Sequence, residues 1–139
     1  VVEGSGGVPV INTDYLAGRA GSIRAGALAV PDGATAIVVV SVDQPRERGI
    51  TQRLLALQKD RDALIAVPSF RGQRGHPAIL DGSLLDELRN VNEAGEGLRT
   101  LMRRHAAERV EVAFDTATVV LDLNRPDEYE AARSKYLGR

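Results

Sequence analysis

Apolar and polar positions fall along the chain in short blocks whose spacing switches between strand-like and helix-like. Residues 8–11 form a short apolar run that reads as a strand, and 21–30 follow with Ile23, Ala27 and Val30 at helical spacing, ended by Pro31 and Gly33. Residues 35–42, TAIVVVSV, are almost wholly apolar and β-branched, which predicts a strand covered on both faces, as in a parallel sheet between helices. Ile50, Leu54 and Leu57 share one helical face with Arg53 and Gln58 outside it, and 63–67 give another buried strand. The stretch 68–77, PSFRGQRGHP, has the prolines and glycines of a loop or hairpin with specific turn demands. Helices are predicted over 83–89 and 98–105, and strands over 110–113 and 118–123. Pro126 opens a last helix, EYEAARSKYL. Strands alternating with helices predict an α/β fold: a three-layer α/β/α, Rossmann-like arrangement around a mostly parallel sheet.

Composition narrows this picture. With 139 residues, 43% hydrophobic and 27% charged, the chain fits one domain with a single core. A net charge of −1 and few aromatic residues give no footprint for nucleic acid. No apolar run approaches the length of a membrane span, and no cysteine is present for disulfide, thiol or thiolate-zinc chemistry. The expectation is a cytoplasmic protein with no nucleic-acid or membrane partner. The chain opens on Val1, and VVEGSGG reads as the end of a strand entering a loop, as in a piece of a longer protein or a processed product.

Candidate chemistry gathers where strands end, since loops at the carboxyl ends of strands in α/β sheets are free to vary on a rigid support. Asp43 ends the strand at 35–42 and Asp122 lies near the end of TVVLDL, each just before a turn containing proline. Two such carboxylates in adjacent strands suit magnesium, which takes one or two carboxylates and fills its shell with water and phosphate. An aspartate in that place also closes a turn or caps a helix, and Asn124 is a cap candidate before Pro126. His76, between Gly75 and Pro77, is a second candidate, although a single loop histidine is more commonly a turn residue than a base. No serine or cysteine triad, HExxH or P-loop lysine motif is present.

In order along the chain, Gly18, Ser22, Arg24 and Gly26 of GRAGSIRAG, the turn Asp43, Gln44 and Pro45, the segment VPSFRGQRGHPAIL with Arg74, Gly75, His76 and Pro77, then Gly97 and Arg99, and finally LDLNRPDEY together resemble the MobA-like NTP transferase family, in particular its molybdenum cofactor cytidylyltransferase branch. The resemblance implies a Mg2+-dependent nucleotidyltransferase that moves a nucleotide, CMP preferred and GMP possible, from CTP or GTP to a phosphorylated pterin-type cofactor precursor with release of pyrophosphate. It implies Asp43 as catalytic metal ligand with Asp122 joining it, His76 as the second catalytic position, and Ser22 and Gly26 near the nucleotide base. Arg24, Arg74, Gly75, Pro77 and Arg99 complete the implied substrate-binding set, and a molybdoenzyme or its chaperone is a further implied partner. Departures are Val42 where the family has glycine, and Asn124 and Arg125 where it commonly has aspartate and threonine.

The family's glycine-rich NTP loop, of the kind LAAGxSxRMGxxK, does not occur in this chain. The resemblance therefore implies a single domain over 1–139 lacking its N-terminal strand and NTP-binding loop, about sixty residues on the usual domain scale. A repurposed or non-catalytic member that binds nucleotide or a partner, or acts on another heterocyclic substrate, is the competing reading. Residues 1–139 expressed alone are expected to unfold without cooperativity and to release no pyrophosphate from CTP. A cooperative, monomeric and active fragment would overturn the missing-segment reading.

Overall fold

The computed structural model describes residues 4, 6–92, 94 and 97–137. Its elements are α1 (Arg19–Leu28), β1 (Ala36–Val39), α2 (Arg48–Asp60), β2 (Ile65–Phe70), β3 (Gln73–Arg74), β4 (Ala78–Asp81), α3 (Leu85–Arg89), α4 (Leu98–Arg104), β5 (Arg109–Ala113) and α5 (Pro126–Leu137), with 3-10 turns at Tyr15–Ala17, Gly82–Leu84 and Ala117–Val120.

Strand alternation divides the core in two. Ile37, Ile65, Val67, Ala78 and Leu80 point to one face, where Ala20 and Ala27 of α1, Leu85 and Leu88 of α3 and Leu101 of α4 cover them. Ala66, Ile79 and Val112 point to the other, under Ile50 and Leu54 of α2 and beside Val119. Period-two strands between period-3.6 helices make three layers, and the α/β class is as expected. Leu54, Ile65, Ile79 and Leu80 are completely buried, each contributing roughly 1.5–3 kcal/mol. The face of α2 reaches one step further than its apolar residues: Gln58, expected outside, is buried, and its Nε2 donates to the Leu64 carbonyl at 3.4 Å. The helix ends with Asp62 at φ 49, where the Asp62 and Ala63 amides return to the carbonyls of Lys59 and Gln58, a left-handed cap that aspartate tolerates.

The sheet is mixed rather than mostly parallel. Among the described residues β1 pairs β4 antiparallel, β4 pairs β2 antiparallel, β3 pairs β2 antiparallel, and β2 with β5 is the parallel pair. The cause is the hairpin 68–77: β2 runs on to Phe70, Arg71 and Gly72 turn with positive φ at both, and the chain comes straight back. Three strand expectations change with it. The strand buried on both faces is β2, not 35–42: β1 is four residues long, lies outside β4, and leaves Val38 and Val42 exposed. Residues 8–11 form no strand, with Val8 and Ile11 over 80% exposed, because no partner ladder receives them among the described residues. Residues 118–123 are a 3-10 turn and an irregular segment, since the Thr116 hydroxyl accepts from the Thr118 amide and starts a turn instead of a ladder.

That last segment fits into a break in the sheet. Ser69 pairs Arg74 and Ala66 pairs Ile79, so four residues, Gly75 to Ala78, face two, Val67 and Pro68. The excess bulges outward. The Gly75 amide donates to the Pro68 carbonyl at 2.8 Å, and the His76 amide to the Val119 carbonyl at 2.8 Å. A proline in a central strand is tolerated here because the N–H and C=O of one strand residue point the same way, so the missing Pro68 donor faces the bulge and not β5. Gly75 is required: a Cβ on it would overlap the Val119 carbonyl oxygen. Gly75→Ala is expected to lower stability by about 2 kcal/mol or more, read as a lower urea midpoint. An unchanged midpoint would show that this contact does not form.

Candidate functional site

After β1 the chain turns over Ser41 to Gln44, closed by the Gln44 amide donating to the Ser41 carbonyl at 3.1 Å, with Asp43 at the third position of the turn. Val42, beside it, keeps a negative φ, so glycine is not needed there. The Leu123 amide donates to the Asp43 carbonyl at 2.9 Å, which brings the segment carrying Asp122 against this turn. Arg46 completes the assembly, its Nε donating to the His76 carbonyl at 2.9 Å and its Nη1 to the Pro45 carbonyl at 2.7 Å. Arg19, the first residue of α1, reaches in with Nη2 donating to Ser41 Oγ at 2.7 Å. Three loops at one end of the sheet are thus laced together around Asp43, His76 and Asp122.

Polar atoms here are buried without partners. Asp43 Oδ1, Gln44 Oε1 and Arg46 Nη2 have no hydrogen bond, and Gln44 is 5% exposed. Unpaired buried oxygens cost free energy unless they receive a cation or a donor, and clusters of them mark ligand sites. Burial lowers the pKa of His76 below its ordinary value; Asp122 opposes this, Arg46 and Arg19 reinforce it, and Asp43 opposes it weakly. Burial likewise lowers that of Arg46, against the attraction of Asp122 and then Asp43. The charges of Asp122, Arg46, Arg19 and Asp43 therefore all act on one imidazole, which burial keeps neutral at pH 7. A cavity of about 480 Å³ opens behind Asp122, between that segment and α5, with Asn124, Glu128 and Lys135 in its wall.

Asp43 and Asp122 carry hard oxygen donors on adjoining segments, and no group of three or more metal-ligating side chains occurs among the described residues. A pair fits an ion that keeps water and phosphate as its other ligands, and the unpaired Asp43 Oδ1 suits that duty.

The remaining sequence candidates are spread more widely. Gly75 and Pro77 are buried and shape the bulge, whose His76–Pro77 peptide bond is cis. Arg74 lies at the surface, paired with Glu111 at 3.0 Å. Ser22 Oγ accepts from Asn12 Nδ2 at 3.0 Å on the exposed side of α1. Arg24 and Gly26 on α1 and Arg99 on α4 are exposed, and no hydrogen bond or ion pair joins them to the Asp43 group among the described residues. Asn124 is not the cap of α5; Arg125 precedes Pro126, and the Glu128 carboxylate accepts from both the Asn124 and Arg125 amides. Arg46, Gln44 and Arg19 went unrecognised as site residues. The adjacency of Arg46 to the Asp-Gln-Pro turn was the available signal.

The sequence model of the MobA-like NTP transferase domain matches residues 2–130. No protein of curated function matches the chain. Among solved structures it is similar to a homologue of Mycobacterium tuberculosis Rv0371c from Mycobacterium sp. strain JC1, with TM-score 0.68, 21% identity and coverage of 95% of this chain and 61% of that one. It is also similar to Rv0371c from Mycobacterium tuberculosis H37Rv, with TM-score 0.65, 29% identity and coverage of 81% and 58%. The same protein in complex with manganese gives TM-score 0.62, 26% identity and coverage of 79% and 57%. The chain thus spans less than two thirds of the length of each. No described helix is long and apolar enough to cross a membrane.

A pH dependence follows from His76. With its folded pKa below 6.5, the unfolded chain binds the proton first as pH falls, so stability present above pH 6.5 is lost on acidification through that range. The drop in urea midpoint between pH 7 and pH 5 is expected to be smaller in His76→Gln. An equal drop would remove His76 as its source.

Proposed function

The chain belongs to the MobA-like NTP transferase family, and from that premise we propose that it acts as a divalent-metal-dependent nucleotidyltransferase whose ion is held by Asp43 and Asp122. The carrying observation is the backbone bond from Leu123 to Asp43, which brings the segment carrying Asp122 against the Asp43 turn, while Asp43 Oδ1 is buried and unpaired. That a similar protein was solved with manganese adds support.

In this reading a phosphate oxygen of the acceptor attacks the NTP α-phosphorus in line and pyrophosphate leaves. Asp43 and Asp122 would hold a divalent ion, which when bound would offset charge on the phosphate oxygens. The chain's own residues orient and shield. The buried Gln44 anchors the turn that carries Asp43, and the Asp43 Oδ1 is shielded from water, which limits the reorganisation needed when charge develops. His76, held neutral at pH 7, presents a ring nitrogen that accepts a proton or hydrogen bond from the acceptor. The cavity between the Asp122 segment and α5 provides room for an acceptor of pterin size. Ser22, Arg24 and Gly26 on α1 would meet the nucleotide base, with CTP favoured over GTP, and Arg99 would meet the substrate from α4. The competing reading, a domain that binds nucleotide without turnover, draws on Asn124 and Arg125 replacing the family's acidic closing segment.

The test is magnesium- or manganese-dependent pyrophosphate release by the full-length protein, with CTP, GTP, ATP and UTP in turn and a phosphorylated pterin as acceptor. Asp43→Ala is expected to reduce the rate about a hundredfold or more. Activity indifferent to that substitution would overturn the assignment, and nucleotide binding with no turnover would favour the competing reading.

A further inference from the structure

Resting on the metal reading just given, we propose that Arg46 is an anion-positioning residue: protein carbonyls hold its guanidinium so that Nη2 receives a phosphate oxygen beside Asp43 and Asp122. Two of its nitrogens are engaged, Nε by the His76 carbonyl and Nη1 by the Pro45 carbonyl. Both acceptors are neutral. They fix the plane of the guanidinium without cancelling its charge, and Nη2 remains buried with no partner. Asp122 and Asp43 act on it through space, not by a hydrogen bond to Nη2.

A half-buried arginine serving only to tie Pro45 to His76 would be finished by those two bonds, with its last nitrogen better left in water. Here the unused donors belong to a guanidinium on which the charges of both Asp122 and Asp43 act. An anion entering there meets two negative groups, so a bare carboxylate is disfavoured. A phosphate accompanied by its own divalent ion brings positive charge for Asp43 and Asp122 and a free oxygen for Arg46. Guanidinium suits such an oxygen, being planar, permanently charged and rigidly oriented. Pyrophosphate represents the nucleotide as source of that oxygen, and inorganic phosphate the acceptor.

The test measures Mn2+ binding, and pyrophosphate and phosphate binding with and without Mn2+, for full-length wild-type protein and for Arg46→Gln, Arg46→Lys and Asp43→Asn. Arg46→Gln is expected to weaken binding of pyrophosphate, phosphate or both by about tenfold or more, while Mn2+ alone binds as well or more tightly, a nearby positive charge having been removed. The anion losing more affinity identifies the source. Arg46→Lys should fall between, and it carries the comparison if Arg46→Gln does not unfold cooperatively. Anion affinities equal to wild type, or a loss of metal and anion in equal proportion, would overturn the proposal, the second outcome being that of a purely structural arginine. Asp43→Asn that binds Mn2+ like wild type defeats the metal reading instead. The metal-free pyrophosphate titration then decides for Arg46, a tenfold loss in Arg46→Gln supporting it and no loss overturning it.

Discussion

The close approach of the Val119 carbonyl to Gly75 is the contact on which the Asp43 end of this molecule depends. Without it the two extra residues of the β3–β4 side would have no acceptor for the His76 amide, and the segment after β5 would lose its backbone bond to the bulge. With it, the bulge is pinned from both sides, by Pro68 within the sheet and by Val119 outside it. Everything further out follows in sequence: Asp122 comes against the Asp43 turn, and Arg46 closes onto the bulge through the His76 carbonyl. Each bond is worth only about a kilocalorie per mole, and it is their closure into one ring that makes the arrangement firm.

Charge follows from this geometry. Carboxylates on two different loops would repel if free to choose their positions, yet main-chain bonds hold the loops regardless of side-chain charge. Arg46 reduces the repulsion from the protein's side, tethered by two carbonyl oxygens that bear no net charge. Arg46 thereby keeps its charge uncancelled instead of being locked into an ion pair. Arg89 shows the contrast: at the far end of α1 its guanidinium contacts the Ala27 and Val30 carbonyls and also pairs with Asp32 and Asp86, a fully occupied structural role.

Helices were legible in the sequence to within a few residues, because Ile50 and Leu54 keep a period that only a helix satisfies and because Pro126 fixes a helical start. The strands were legible as segments but not as neighbours. TAIVVVSV looks like a central strand, yet what decides burial is which strands flank it, and that is set by the two-residue return at Arg71 and Gly72, far along the chain. Likewise TVVLDL has strand composition, but Thr116 and Thr118 turn it, and the acceptor it presents to His76 is a backbone atom no side-chain pattern announces. Asp43, Asp122 and His76 were legible as candidates from their places at strand ends and in a constrained loop. Their meeting was not, since it rests on the Leu123 amide and on Arg46. The positions on α1 and α4 came from the resemblance alone, and the local packing gives them no visible task.

The backbone bond between Leu123 and Asp43 bears on how such a site changes over time. Its donor and acceptor are main-chain atoms, so the separation of the two loops is nearly independent of what residues 43 and 122 carry. Side chains on this rim are therefore exchangeable parts on a fixed mount. Replacing an acidic group by an amide, or a glycine by valine at 42, alters what the pocket attracts without dismantling it. Chemistry and architecture are in this way inherited separately, and a lineage built on this fold is free to revise the first while keeping the second.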